Sequence, residues 1–293
     1  MIRLNEPEFD FSEVIDSCCT GITGNENLKN KIVNHKAKLE VHGITYITAG
    51  TSGNLHTIEF NESPKNDDKI IEDITRSELL TLYTSYFSKQ EKPARKIYNY
   101  LLALAKEKCP YCCGIGRPRN LDHYLPKSYF PQFSILPQNL VPSCRDCNMD
   151  GKKNDFSRIK EEQIIHPYLD KHSFFQERWI SARYIPDFHT NTAGIIEYFV
   201  NPPSVWEECD KRRAQEHFQQ FDLATRYSIQ AAEELSYVHE EWLKAINGLE
   251  DIGFLQQEWI NIAQKSPNIN GWKPIMYLAL VDSLNDFKHS TQT

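Results

Sequence analysis

The sequence predicts a mostly helical α+β fold, and three observations carry that prediction. Runs with apolar residues at helical spacing occupy both ends of the chain, and short β-branched runs sit between Gly, Ser and Pro breaks. Between them, residues 109–153 are too interrupted for long elements of either kind, with prolines at 110, 118, 126, 131, 137 and 142. Such a segment needs something other than a large apolar core to hold it. Metal coordination can do this, because in a small module the binding free energy of the ion becomes folding free energy.

Taken in order, NENLKNKIVNHKAKLEV reads as a helix, and GITYITAG and NLHTIEF read as strands separated by Gly and Ser. NESPKNDDKI, residues 61–70, is a polar break. Thr75 followed three residues later by Glu78 resembles a capping box, which opens a helix through SELLTLYTSYF. A second helix, PARKIYNYLLALAKEK, has Pro93 in its first turn and runs into Cys109. After Asn148 the run MDGKKNDFSRIKEEQI can form a helix, disturbed early by Gly151. Residues 177–200 look like a two-stranded hairpin with a polar loop, ended by Pro202 and Pro203. The remainder is helical: one or two long amphipathic helices over 204–248 and a last one over 275–288.

The composition is that of an ordinary soluble globular protein, with no apolar run long enough to cross a bilayer. The N-terminus is acidic and lacks the pattern of a secretory signal, so a cytosolic protein without a membrane role is expected. A net charge of −7 argues against a polyanionic partner only as an average. Residues 89–160 hold fourteen Lys and Arg against six Asp and Glu, and the positive bias falls at Arg117, Arg119, Lys127, Arg145, Lys152 and Lys153. A merely solvated basic stretch is the plainer reading of such a run.

The eight cysteines group in a way that decides their chemistry. Cys109 and Cys112 form one C-x-x-C, and Cys144 and Cys147 form another after 31 intervening residues. Two such knuckles can place four thiolates around one zinc ion, and a closed four-sulfur site leaves no open position, so the zinc would be structural. A redox dithiol is the competing reading, but it needs only one such pair. Cys18, Cys19, Cys113 and Cys209 are left without an evident role.

Between the knuckles lies LDHYLPKS, and overlapping the second lies QNLVPSCRDCNMDGKK. With these residues the sequence resembles the HNH, or ββα-metal, endonucleases, whose motif is a strand ending in Asp-His or His-His, a central Asn, and a helical Asn or His. Asp122-His123 match the first element, Asn139 the second and Asn148 the third, with 15 residues between His123 and Asn139 and eight more before Asn148. The resemblance implies a zinc-stabilised ββα module flanked by an N-terminal α/β segment and C-terminal helices. Its boundaries read as 1–92 for a mixed α/β region, 93–165 for the nuclease module and 166–293 for a hairpin with helices.

The resemblance also implies the roles. Asp122 and Asn148 would offer hard oxygen ligands to Mg²⁺ or Mn²⁺, and His123 would be the general base. Asn139 would tie the loop between the strands so that His123 keeps one orientation. Lys152 and Lys153, one turn after Asn148, are placed to meet phosphates, with Lys127 and Arg145 as further candidates. His166 reads as a satisfied structural histidine rather than a third metal ligand.

DNA is favoured over RNA on family grounds alone. The flanks resemble bacterial HNH proteins that include antiphage-defence effectors, such as the nuclease component of Septu-type systems, which works with an ATPase; an ATPase or other regulatory protein is therefore an expected partner. A catalytically silent, zinc-stabilised module that binds nucleic acid or protein is the alternative, and the presence of Asp122, His123 and Asn148 speaks against it.

Overall fold

Asp10 and Glu13 each accept a hydrogen bond from the other's backbone N–H, a capping box that opens helix α1 (Phe11–Gly21). It begins a computed structural model that describes residues 1–189 and 192–291; residues 190 and 191, in the polar loop of the expected 177–200 hairpin, and residues 292 and 293 lie outside the described residues. About half of the chain is helical, and the sheets are small: three antiparallel two-stranded pairs among the described residues. This is an α+β architecture.

Helices α2 (Glu26–Asn34) and α3 (Lys36–Thr51) follow. α3 overturns one expectation, because GITYITAG is helical and not a strand. Its β-branched residues favour a strand locally, but Leu39, Gly43, Tyr46 and Gly50 recur at helical spacing and form the buried face. A β-carbon at Gly43 would stand 2.7 Å from Phe11 Cδ1, and one at Gly50 would stand 2.3 Å from Leu169 Cδ1. The two glycines let the helix approach its neighbours closely, and that packing prevails over local propensity. NLHTIEF is likewise no strand: it carries only a 3₁₀ turn at Leu55–Thr57, and Phe60 instead packs its ring against Tyr129, Phe130 and Phe156.

Strands β1 (Lys69–Ile71) and β2 (Ile74–Thr75) pair and lead into α4 (Arg76–Thr81). The Thr75–Glu78 capping box is present, and the Lys31 ammonium lies 2.9 Å from Glu78. The helix widens into a π turn over Leu82–Phe87. Helix α5 (Arg95–Ala103) stops short of Cys109, since Lys106 and Glu107 adopt left-handed φ values of 46° and 65° that no α-helix continues through.

Strands β3 (Asn120–His123) and β4 (Leu140–Ser143) pair antiparallel, with Asp122 opposite Val141 and His123 opposite Leu140. A π-helical turn, Asp146–Lys152, comes next and ends where Lys153 takes a φ of 56°. The longer helix expected through residue 164 does not form. Past the turn, Phe156 is drawn into the aromatic cluster with Phe60 and Phe130, at centroid distances of 4.8 and 4.9 Å. All of these elements belong to one unit, Arg3–Tyr111 with Gly116–Asp170.

The second unit comprises Met1–Ile2, Cys112–Ile115 and Lys171–Thr293. Here α6 (Ser173–Gln176) precedes the hairpin of β5 (Ile180–Ile185) and β6 (Ile195–Val200), in the register Ile180↔Val200 to Ile185↔Ile195. Helices α7 (Glu208–Gln220), α8 (Leu223–Ile246), α9 (Ile252–Gln264) and α10 (Trp272–Thr291) complete it. The hairpin packs on α8 and α10. Buried Asn270 secures it by accepting hydrogen bonds from the Trp179 and Ile180 N–H groups and donating to the Glu177 carbonyl.

Candidate active site and metal centre

The Sγ atoms of Cys109, Cys112, Cys144 and Cys147 all lie within 4.8 Å of one another, and all four residues are buried. Tetrahedral zinc, with Zn–S near 2.3 Å, sets its sulfurs about 3.8 Å apart, so the cluster could hold one zinc ion. Cys109 Sγ also accepts the Cys144 N–H at 3.4 Å, a contact that favours a thiolate. Four sulfurs would close the coordination shell of such an ion, and its role would then be structural. Cys18, Cys19 and Cys113 are buried and Cys209 is partly so; none belongs to the cluster.

A second set of groups lines a cleft of about 190 Å³ in the larger unit: Asp122, His123, Asn148, Lys127, Lys153 and Tyr83 among them. Each arrives from a different local cause. Asp122 and His123 end β3, whose alternation is held by the β4 register. Asn148 is carried by the π-helical turn directly after Cys147, and its own N–H donates to the Cys144 carbonyl, so the second knuckle fixes its backbone.

Asp122 is 6% exposed, and its Oδ2 accepts no hydrogen bond. The nearest charge is the Lys152 ammonium at 3.8 Å. Burial pushes the carboxyl up to about 6, against the opposing pull of Lys152, the His123 backbone and Lys127. A buried carboxylate oxygen with no proton donor is a group suited to a cation, and together with the amide of Asn148 it makes an oxygen donor set of the kind hard divalent ions prefer.

His123 Nε2 lies 2.9 Å from the Ser134 carbonyl. A carbonyl only accepts, so Nε2 carries the proton and the neutral ring keeps Nδ1 as its acceptor. Burial first, then the Lys127 and Lys152 charges, push the ring down to about 3, with the Ser134 bond opposing. The ring is therefore neutral at pH 7. Tyr83 packs against it edge to face at 4.5 Å, and the Lys127 ammonium sits 5.3 Å from the centre of the Tyr83 ring. The sequence carried no signal for Tyr83 beyond its place in an amphipathic helix.

Asn139 is fully buried, and its side chain is fully engaged. Oδ1 accepts from the Leu125 N–H at 2.7 Å and the Tyr46 hydroxyl at 2.9 Å, while Nδ2 donates to the Leu125 and Phe133 carbonyls at 3.0 and 3.1 Å. It spans the loop between β3 and β4 from within. His166 is buried with Nε2 3.1 Å from the Tyr46 hydroxyl, and Nδ1 accepts the Tyr168 and Leu169 N–H groups.

The basic residues separate. Lys127 and Lys153 line the cleft, whereas Arg145 is exposed and outside its lining. Lys152 departs from the expectation of a surface residue poised for phosphate: it is 1% exposed, and its ammonium donates to the His123 carbonyl at 2.7 Å. The π geometry of its turn explains the difference, since a wider turn rotates a side chain away from the face that an α-helix would give it.

A helical α+β protein that combines a buried four-cysteine cluster able to hold a metal with a carboxylate–imidazole cleft is the class these features define. Its sequence is 34% identical over 300 residues to protein ea31 of Escherichia phage lambda, covering 98% of this chain and 99% of that one. The chain belongs to the family of protein ea31. It is also 38% identical over 74 residues to Septu protein PtuB of Bacillus thuringiensis, a stretch that is 24% of this chain and 28% of PtuB. No protein-family model matches the sequence, and no solved structure does. Among the described residues, no helix is long and apolar enough to cross a membrane.

Proposed function

We propose that the protein is a metal-dependent HNH-type endonuclease that hydrolyses phosphodiester bonds in DNA, acting in the cytoplasm as an antiphage-defence effector. The observation that carries this reading is the pairing at the end of β3. There a buried carboxylate oxygen without a proton donor and a neutral imidazole with Nδ1 left to accept line one cleft with Asn148.

Asp122 Oδ2 and the Asn148 amide oxygen would hold Mg²⁺ or Mn²⁺, which when bound supplies positive charge beside the phosphate oxygens. His123 Nδ1 takes a proton from a water as that water's oxygen bonds to phosphorus. The P–O3′ bond breaks, its electron pair remains on O3′, and O3′ takes a proton from solvent. A 5′ phosphate and a 3′ hydroxyl result.

The low proton affinity of the His123 imidazole is raised when a phosphodiester brings negative charge beside it, because an opposite charge favours the imidazolium. Asn139 holds the loop that carries Ser134, and Ser134 holds the ring. Lys127 and Lys153 draw the backbone into the cleft. The stretch shared with Septu protein PtuB supports the defence setting, with an ATPase or other regulatory protein as partner.

The test is cleavage of supercoiled plasmid, single-stranded DNA and RNA with Mg²⁺, Mn²⁺ or EDTA, beside His123→Ala. Metal-dependent nicking that falls by about a hundredfold or more in the variant is expected. Undiminished nicking by His123→Ala refutes the assigned base.

A further inference from the structure

Beneath the cleft a chain of buried polar side chains runs from residues 166–169 to the loop that holds His123, and the direction of every hydrogen bond in it is fixed. His166 Nδ1 receives two backbone N–H groups, from Tyr168 at 3.2 Å and Leu169 at 3.3 Å. An N–H can only donate, so Nδ1 is unprotonated and Nε2 bears the ring proton. That proton points the 3.1 Å contact toward the Tyr46 oxygen, and Tyr46 must then give its own proton to Asn139 Oδ1 at 2.9 Å. Oδ1, which also accepts the Leu125 N–H at 2.7 Å, is the acceptor end of the amide, and Nδ2 donates to the Leu125 and Phe133 carbonyls. The next carbonyl, that of Ser134, accepts His123 Nε2–H.

We infer that Tyr46 and His166 are positioning residues which, through Asn139, hold the Ser134 carbonyl where it fixes the tautomer of His123. This rests on the reading of His123 as the group that takes the proton, since only the Nε2–H tautomer leaves Nδ1 able to do so. Neither side chain lines the cleft. Both are completely enclosed, Tyr46 at 0% and His166 at 1% exposure. An apolar pair would fill that space without the desolvation cost that two polar groups incur. Their chemistry serves direction: with the amide of Asn139 reversed, Oδ1 would face two carbonyls and Nδ2 would face the Leu125 N–H.

The experiment uses the full chain with its zinc, labelled with ¹⁵N at histidine, and reads ring tautomers by long-range ¹H–¹⁵N correlation without substrate. In the wild type His166 and His123 should both show a protonated Nε2 and a bare Nδ1. An Nδ1–H tautomer or an imidazolium at His166 overturns the inference, and this holds even if every variant fails to fold.

In Tyr46→Phe and His166→Phe, His123 should populate both tautomers and kcat should fall by up to about tenfold with KM unchanged, as expected from one lost hydrogen bond. His166→Gln, which keeps a donor toward Tyr46, should recover most of the loss. Folded Tyr46→Phe with His123 still wholly Nε2–H overturns the inference. A tautomer shift in a protein that cleaves nothing leaves the positioning role standing and counts against the nuclease reading alone.

Discussion

The Lys152 ammonium donates to the His123 carbonyl at 2.7 Å while standing 3.8 Å from Asp122 Oδ2, so a fully buried cation clasps the backbone of one cleft residue and balances the side chain of its neighbour. Burial pulls the proton affinity of this lysine down, and the Asp122 and Asp155 charges hold it up. Lys152→Met removes both contacts at nearly constant volume. The His123 carbonyl is left without its donor, and the variant should lose about 1–3 kcal/mol in urea unfolding. Asp122, without its closest cation, should titrate at higher pH, so activity should fail at higher pH on acidification. A variant whose acid limb coincides with that of the wild type would show that Lys152 does not act on the carboxylate.

Asp122 and His123 assign the acid limb of activity between them. His123, held down to about 3, stays unprotonated well below neutrality. Asp122, pushed up to about 6 by burial, gains a proton first and can then no longer ligate a cation. Cleavage should fall about tenfold per pH unit below 6. Because cation and proton compete for one oxygen, raising Mg²⁺ should move the midpoint to lower pH. A midpoint indifferent to the metal concentration would place the limb on some other group.

The same carboxylate should burden the fold when no divalent cation is added. A carboxyl raised in the folded state binds its proton more tightly there than in the unfolded chain. Its stability cost is absent below the ordinary carboxylate range near pH 4, grows as pH rises, and is complete above about 6. Asp122→Asn should accordingly abolish cleavage yet raise stability at pH 7.5 by about 3 kcal/mol, with the gain vanishing at pH 4. Thermal melts at the two pH values check this, and equal effects at both would mean that the carboxylate is not desolvated as described.

Much of this was legible in the residues, and the failures have physical causes. The cysteine spacing, the Thr75–Glu78 cap and the 177–200 hairpin are local patterns, decided by neighbours in sequence, and each stands in the structure. GITYITAG is helical despite its β-branched residues because Gly43 and Gly50 open a helix face to Phe11 and Leu169, partners 32 and 119 residues away that local propensity does not register. Lys152 was misplaced for a related reason: a π turn shifts the face on which a residue falls, and hydrophobic periodicity does not register that. Tyr46 and His166 were invisible as a pair, since 120 residues separate them.

The metal centre should govern the stability of its surroundings. Cys109, Cys112, Cys144 and Cys147 bracket the β3–β4 segment, whose strands are only four residues each. Sheets this small do not stand alone. The purified chain should contain one zinc per molecule by atomic emission. Cys147→Ala should lose it, along with several kcal/mol of stability, and expose residues 109–153 to limited proteolysis. A folded, protease-resistant protein with no zinc and four freely titrating thiols would remove the ion from the account.

The cleft's cations should divide into those that meet the substrate and those that do not. Lys127 and Lys153 line it, with Lys127 half-buried against Tyr83, while Arg145 is exposed beyond the lining. Each phosphate contact releases condensed counterions, so its loss flattens the dependence of log K on log salt by about one for duplex DNA. Measured by fluorescence anisotropy with Ca²⁺ in place of Mg²⁺ to suppress cleavage, Lys127→Ala and Lys153→Ala should each reduce the slope by about that amount. Arg145→Ala should leave it nearly unchanged. If the Arg145 variant flattens the slope and the two lysine variants do not, DNA approaches from a face other than this cleft, and the imidazole of His123 is out of its reach.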